Sequence, residues 1–340
     1  MGGMIEVVAP NLKRRLSGVT ATVVRLIPLQ ARLIGIVATG PGLPAGLPHI
    51  PLISCLWLSR DRLRVWHARR NTEMLLGLVL KGLFRRRLKL LFTSASQRRH
   101  TGYTKWLIGK MDRVIATSDR TAGYLERPST VIMHGIDTES FSPSPDRAAL
   151  RARLGLPEGV LVGCYGRIRP SKGTDHFVRA MIRLLPDHPG VTALVMGRAV
   201  GKFRDFYEGL VAEVQAAGLS DRILFPPEVP VDQVADWYRA LDLYVAPQRW
   251  EGFGLTPLEA MACGVPLVAT RTGAFESLVV PEVGALVPPD DLPALTEAIA
   301  AALTWPLAEK GAAARARALS HHRIEDEAAA IVRIYREMLA

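Results

Sequence analysis

Cysteine is scarce in this 340-residue chain: Cys55, Cys164 and Cys263, widely spaced, are all it has. Three such residues build neither a disulfide framework nor a metal knuckle, and they suit a reducing compartment. No apolar run approaches the roughly 20 residues that span a bilayer, and stretches such as 74–80 stop far short. The first residues lack the basic, apolar, small-residue order of a secretory signal, so the expectation is a cytoplasmic protein. Aromatics make up 6% of the chain, and Trp57, Trp66, Tyr103 and Trp106 are too scattered for a base-stacking platform. Nucleic acid is therefore not an expected partner, although a basic nucleic-acid-binding module is the rival from another class. With 49% apolar residues, the chain is neither disordered nor fibrous.

Acidic residues are missing mainly from one end. Residues 1–127 hold 22 Lys and Arg against 6 Asp and Glu, a balance of +16, whereas residues 128–340 hold 21 against 26. A strongly basic part followed by a mildly acidic one predicts that the first part meets something anionic: a phosphorylated substrate, an acidic membrane surface or nucleic acid.

Short apolar strands alternate with helical patterns throughout. Strands are expected at 5–9, 34–39, 88–93, 114–118 and 131–134, with helices at 20–33, 72–87 and 101–111. A proline-rich break at 141–158 reads as a linker with a short charged helix. The alternation restarts with strands at 160–165, 191–196, 222–225, 242–246 and 266–269. Helices are expected at 174–185, 203–217, 231–240, 256–262, 292–302 and 324–339. The fold class is therefore α/β: two Rossmann-like, doubly wound domains facing across a cleft. The expected divisions are 1–145, 146–323, and a final helix at 324–340 packing back toward the first domain.

Two segments of the second half carry chemistry. In 163–174, glycines at the end of a strand let backbone approach a ligand, while Arg167 and Lys172 add fixed positive charge. In 250–262, Thr256 reads as a helix cap, Pro257 as the first helical residue and Glu259 as the capping-box carboxylate. That helix then points free N–H groups at a slim loop holding Gly252 and Gly254, with Glu251 placed for a neutral polar group of the same ligand. A bland alternative has Glu259 only capping and Glu251 only solvated.

These motifs carry a resemblance. Glu251 and Glu259, in WEGFGLTPLEAMACGVPLVAT, form the E-x7-E pattern that resembles the retaining glycosyltransferases of family 4, of GT-B architecture. GRIRPSKG is similar to their Arg…Lys diphosphate loop, and VIMHGIDTESFSP to their hinge strand, which usually carries Asn where this chain has His134. TRTGAFESLVVPEVGALVPPDD is similar to their later Gly…Glu segment and Gly-x-Leu-Val-Pro turn. The resemblance implies that Arg167 and Lys172 hold the donor phosphates, Glu251 the transferred sugar and Glu259 the ribose. The amides of Phe253, Gly254 and Leu255 would face sugar and phosphate. No Asp-x-Asp triplet of the kind that carries a divalent ion in the other common architecture occurs, so neither metal nor cofactor is expected.

In the first half, PNLKRRLSGVTATVVRL and FTSASQRRHTGYTKWLI resemble the mannosyltransferases of lipopolysaccharide inner-core assembly. The likeness implies GDP-mannose as donor and an anionic, Kdo-bearing glycolipid as acceptor, at the inner face of the cytoplasmic membrane. Another nucleotide sugar on a different anionic glycolipid is the alternative. Gly18 would lie below the donor phosphates, and His100 would position or polarise the reacting groups beside Glu251. Arg14, Arg15, Arg98, Arg99 and Lys105 would meet the acceptor. The segment Met74, Leu75, Leu78, Val79 and Leu83 is expected to pack on the sheet, a membrane-surface helix being the alternative, and its basic end could still touch lipid headgroups.

Overall fold

The computed structural model describes residues 4–13 and 18–340. They fall into two compact units, Met1–His134 with Ile324–Ala340, and Gly135–Arg323. The first runs β1 (Val7–Pro10), α1 (Gly18–Gln30), β2 (Ile36–Thr39), β3 (His49–Ile50), β4 (Arg64–Ala68) and α2 (Asn71–Gly82). It continues with β5 (Leu88–Ser94), α3 (Gly102–Gly109), β6 (Arg113–Ala116), α4 (Asp119–Gly123) and β7 (Thr130–Val131). The second opens with α5 (Arg147–Arg153), β8 (Val160–Tyr165), α6 (Thr174–Leu184), β9 (Val191–Met196), α7 (Arg204–Ala216) and β10 (Ile223–Leu224). Then come α8 (Val234–Arg239), β11 (Leu243–Ala246), α9 (Leu255–Ala262), β12 (Leu267–Thr270), α10 (Phe275–Leu278) and β13 (Gly284–Val287). Helices α11 (Leu292–Ala302) and α12 (Leu307–His321) complete it, and α13 (Ile324–Leu339) returns to the first unit.

Both sheets are parallel and doubly wound, in the orders β3-β2-β1-β4-β5-β6-β7 and β10-β9-β8-β11-β12-β13. Each order reverses beside its first strand, at β1/β4 and β8/β11, where successive crossovers take opposite faces and leave a crevice at the carboxyl ends.

Periodicity explains how the helices dock. In α13, Ile324, Ala328, Ile331, Tyr335 and Met338 recur at alternating steps of four and three, making one stripe that is buried with Val7, Val23, Ile27 and Val65. Each large side chain so buried contributes about 1.5–3 kcal/mol of transfer free energy. In α6, Phe177, Val178 and Met181 bury likewise against β9. In α2, Met74 and Leu80 pack into the core with Leu78 against them, while Leu75 and Leu83 stay exposed. That helix ends at Gly82, five residues before the predicted end. Residues 141–158 are anchored in the second unit: Leu150 is buried and Arg151 donates to the Ala240 carbonyl at 2.9 Å.

Six of these strands and helices lie outside the expected ones: β3, β4, α4, α10, α12 and β13. Strand β4, at the centre of the first sheet, has the sequence RVWHA, whose polar residues hide a buried strand. Helix α12 forms where no element is expected, and the predicted Gly-x-Leu-Val-Pro turn is strand β13, paired along its length with β12.

Candidate active site

Because β8 and β11 are neighbours in the second sheet, the loops that leave them, 166–173 and 247–254, emerge side by side. Backbone bonds lock them together: the N–H groups of Arg249 and Trp250 both reach the Ser171 carbonyl, at 3.2 and 3.4 Å. Gly173, at φ +68°, passes so close that a Cβ there would lie 1.9 Å from the Pro247 carbonyl oxygen. Arg249 forks onto Asp175 at 2.7 and 2.8 Å and also donates to the Pro170 carbonyl. Burial pushes the Asp175 carboxyl up, but the Arg249 hydrogen bonds and charge outweigh it and hold the pKa below the usual range. Asp175 in turn raises the pKa of Arg249, so this pair stays ionised and clamps the first loop to the second.

On that clamped platform the two motifs of the sequence meet. Lys172 donates to Glu251 Oε2, while Glu251 Oε1 accepts the Gly252 N–H at 2.9 Å. Gly254 adopts φ +90°, and a Cβ there would fall 2.2 Å from the Phe275 ring. Ala274 N–H bonds the Phe253 carbonyl at 2.9 Å, so the segment around Gly273 backs the Glu251 loop. The N–H groups of Gly254 and Leu255, at the start of α9, have no hydrogen-bond partner among the described residues. Orphan donors at a helix start are a ready site for an anion. Arg167 lies exposed on the first loop, free of any ion pair among the described residues.

The expected capping box does not form. Gly254, in the left-handed region, caps α9, so the helix starts at Leu255 and Thr256 lies inside it. Glu259 is thereby freed from capping and accepts instead from the Tyr238 hydroxyl at 2.8 Å. Tyr238 belongs to a buried trio with Tyr165 and Tyr244, ring centroids 5.0–6.0 Å apart. Burial, then the Glu259 charge, keeps the Tyr238 hydroxyl protonated and a donor.

The wall of the first loop also bounds a cavity of about 280 Å³. Ile168, whose N–H bonds the Arg198 carbonyl at 3.1 Å, lines it with Gly197, Arg198, Tyr207, Phe225 and Glu228. An aromatic, partly apolar cleft beside the loop that carries Arg167 suits a planar ring attached to a charged group. Nothing in the sequence spacing pointed to this cavity, to the Arg249–Asp175 clamp or to Tyr238, because each joins strands far apart in the chain.

The remaining expected residues belong to the first unit. Gly18 opens α1, whereas Arg14 and Arg15 lie outside the described residues. The β1/β4 switch point is filled by a buried network: Arg70 bonds Asn11 at 2.9 Å, Glu73 at 2.7 Å and Thr20 at 3.0 Å. Arg98 and Arg99 are exposed. His100 is half-buried, with Nε2 enclosed and without a hydrogen-bond partner among the described residues. Burial first, then Arg98 and Lys105, lowers its pKa and favours neutral imidazole. His100 and Lys105 line a cavity of about 130 Å³, where Lys105 pairs with Glu126 at 2.5 Å. His134 has a specific partner, Glu327 of α13, at 2.7 Å.

Comparison with known proteins agrees with this architecture. The family described as Glycosyl transferases group 1 matches residues 146–319. The lipopolysaccharide core biosynthesis mannosyltransferase LpsB of Rhizobium meliloti (strain 1021) is 52% identical, across 98% of each chain. LpcC of Rhizobium leguminosarum bv. viciae, which bears the same description, is 53% identical over 98% of this chain and 97% of its own. Among solved structures, Anabaena Alr3699/HepE in complex with UDP superposes with a TM-score of 0.85 at 20% identity, 98% of this chain on 100% of that one, a likeness of fold. With a family match over half its length and relatives alike from end to end, the chain belongs to the group 1 glycosyl transferases and is a glycosyltransferase of GT-B architecture.

Proposed function

We propose that this enzyme moves mannose from GDP-mannose, with retention, to the Kdo-bearing inner core of a lipopolysaccharide precursor, at the inner face of the cytoplasmic membrane. The observation that carries the reading is the clamped pair of loops on which Lys172, Glu251 and the start of α9 converge. The names of the two relatives with more than half their residues identical support mannose and the lipopolysaccharide core.

A sugar leaving a nucleoside diphosphate places growing negative charge on the departing phosphate. Arg167, Lys172 and the orphan N–H groups of Gly254 and Leu255 neutralise it, which is where catalytic free energy is gained. When a phosphate takes Lys172, Glu251 is released to accept from hydroxyls of the sugar, and Glu259 receives the ribose. The donor base enters the cavity beside Ile168. Arg98, Arg99 and Lys105, with Arg14 and Arg15, meet carboxylates and phosphates of the acceptor. His100, neutral at working pH, polarises a hydroxyl, and the leaving diphosphate takes the acceptor proton on the face it vacates. The first unit thus serves the acceptor and the second the donor.

A thermal-shift panel of GDP-mannose, UDP-glucose and ADP-glucose tests the donor. A ligand at 100 times its Kd stabilises the fold by about 2.7 kcal/mol, several degrees of melting temperature at this size. A shift with UDP-glucose and none with GDP-mannose would refute the donor assignment. GDP release that does not depend on a Kdo–lipid A acceptor would refute the transfer.

A further inference from the structure

The first unit carries an outer face that its own core does not use. The 3-10 turn Leu52–Trp57, α2 and α3 bury one side under the sheet and expose large apolar side chains on the other. Trp57 is 78% exposed, Leu83 75%, and Tyr103 and Trp106 51% each, with Ile53 and Leu75 also in water. Tyr103 and Trp106 stack, ring centroids 6.3 Å apart.

These side chains sit on one fixed layer. Arg86 donates to the Leu56 and Leu58 carbonyls, fastening the turn to the carboxyl end of α2. Asn71 donates to Thr104 Oγ1 at 2.8 Å, fastening α3 to its amino end. The two ends are one helix length apart, about 18 Å. Cations are interleaved at both. Arg60, Arg62 and Arg85 follow Trp57 and Leu83, Arg98 and Arg99 precede Tyr103, and none of the five has an ion pair among the described residues. Two nearby acids are already engaged, Asp112 by Lys81 at 3.1 Å and Glu126 by Lys105 at 2.5 Å.

We propose that this face docks on an anionic phospholipid bilayer, aromatic rings at headgroup level and arginines on lipid phosphates. Indole and phenol rings are amphipathic and favour that depth, while arginine stems lie along apolar surface and keep their charge outside. Apolar groups separated by cations suit a headgroup layer better than a protein groove, which needs continuous apolar area. The proposal rests on the reading of a lipid-linked acceptor and names the surface that meets its membrane. The upper end of the face, Tyr103 and Trp106, shares its segment with Arg98, Arg99 and His100, so a glycolipid held in the leaflet presents its sugars to that segment.

The test is sedimentation of the full chain with vesicles of phosphatidylcholine alone and with roughly one-third phosphatidylglycerol, since each surface cation is worth about fivefold in partition. Tryptophan quenching by brominated lipid is read alongside. The wild type is expected to partition at least tenfold better onto the anionic vesicles, with quenching that drops in Trp57→Ser and Trp106→Ser. Arg60→Glu with Arg85→Glu is expected to lower partition tenfold or more at an unchanged melting temperature. Equal binding to both vesicles, unchanged quenching in both Trp variants, or a salt-insensitive dimer without vesicle binding would overturn the proposal. Because GDP-mannose thermal shift needs no lipid, a normal shift without vesicle binding sinks only the docking face. Vesicle binding without that shift sinks only the donor reading.

Discussion

His322 offers a direct check of how this fold treats buried charge. It closes α12, is 4% exposed, and neither ring nitrogen has a hydrogen-bond partner among the described residues. Burial, reinforced by Arg317 and His321, pushes its pKa down to about 4 from an ordinary 6.5. The folded state therefore refuses a proton that the unfolded chain accepts. Stability is fully present above about pH 6.5 and is lost as the pH falls toward 4. At roughly 1.4 kcal/mol per pKa unit the whole effect is about 3–4 kcal/mol, of which about 2–3 kcal/mol appears between about pH 7.5 and 4.5. His322→Leu keeps the volume and removes the titration. Urea unfolding of both proteins at the two pH values should show the variant losing about 2–3 kcal/mol less than the wild type. His67, also buried with its pKa depressed by burial and then by Arg69, acts in both proteins and cancels from the difference. Equal acid sensitivity in the two would refute the claim that His322 is held neutral.

Three further outcomes are expected. Lys172→Ala should lower kcat/KM about 10²–10³-fold by removing a preorganised cation, measured as acceptor-dependent GDP release, whereas near-normal turnover would remove Lys172 from the donor site. Arg249→Ala leaves the buried Asp175, in the first turn of α6, with only Arg179, at 3.5 Å, as an ion-pair partner among the described residues and should cost about 2–3 kcal/mol in urea unfolding, somewhat less than breaking a fully buried pair. An unchanged midpoint would mean that backbone bonds alone join the loops. Gly254→Ala forces a Cβ to 2.2 Å from the Phe275 ring at φ +90° and should cost about 1–3 kcal/mol together with most transfer activity. A wild-type melting curve and rate would contradict the close approach.

Much of this enzyme was readable along the chain, wherever local pattern and burial agree. The strand Val160–Tyr165 and the helices Leu292–Ala302 and Ile324–Leu339 match their expected limits, because apolar period and turn residues there point to one answer. The Arg167, Lys172, Glu251 and Glu259 motifs could be picked out for the same reason: glycines, cations and carboxylates stand at fixed spacing beside a strand end. Strand β4 was hidden because its polar residues look wrong for a sheet interior until their partners arrive from elsewhere. Arg64 donates to the carbonyls of Ile5, Ser59 and Arg62, and His67 bonds Tyr335 at 2.6 Å and Thr93 at 2.7 Å. The start of α9 depended on a left-handed glycine backed by a ring 21 residues further on, which no capping pattern records. Most of all, the pairing of Lys172 with Glu251 came from sheet order: only once β8 lies beside β11 do two loops 79 residues apart share one surface. Spacing sets which groups a segment carries, and long-range hydrogen bonding between strands sets which of them meet.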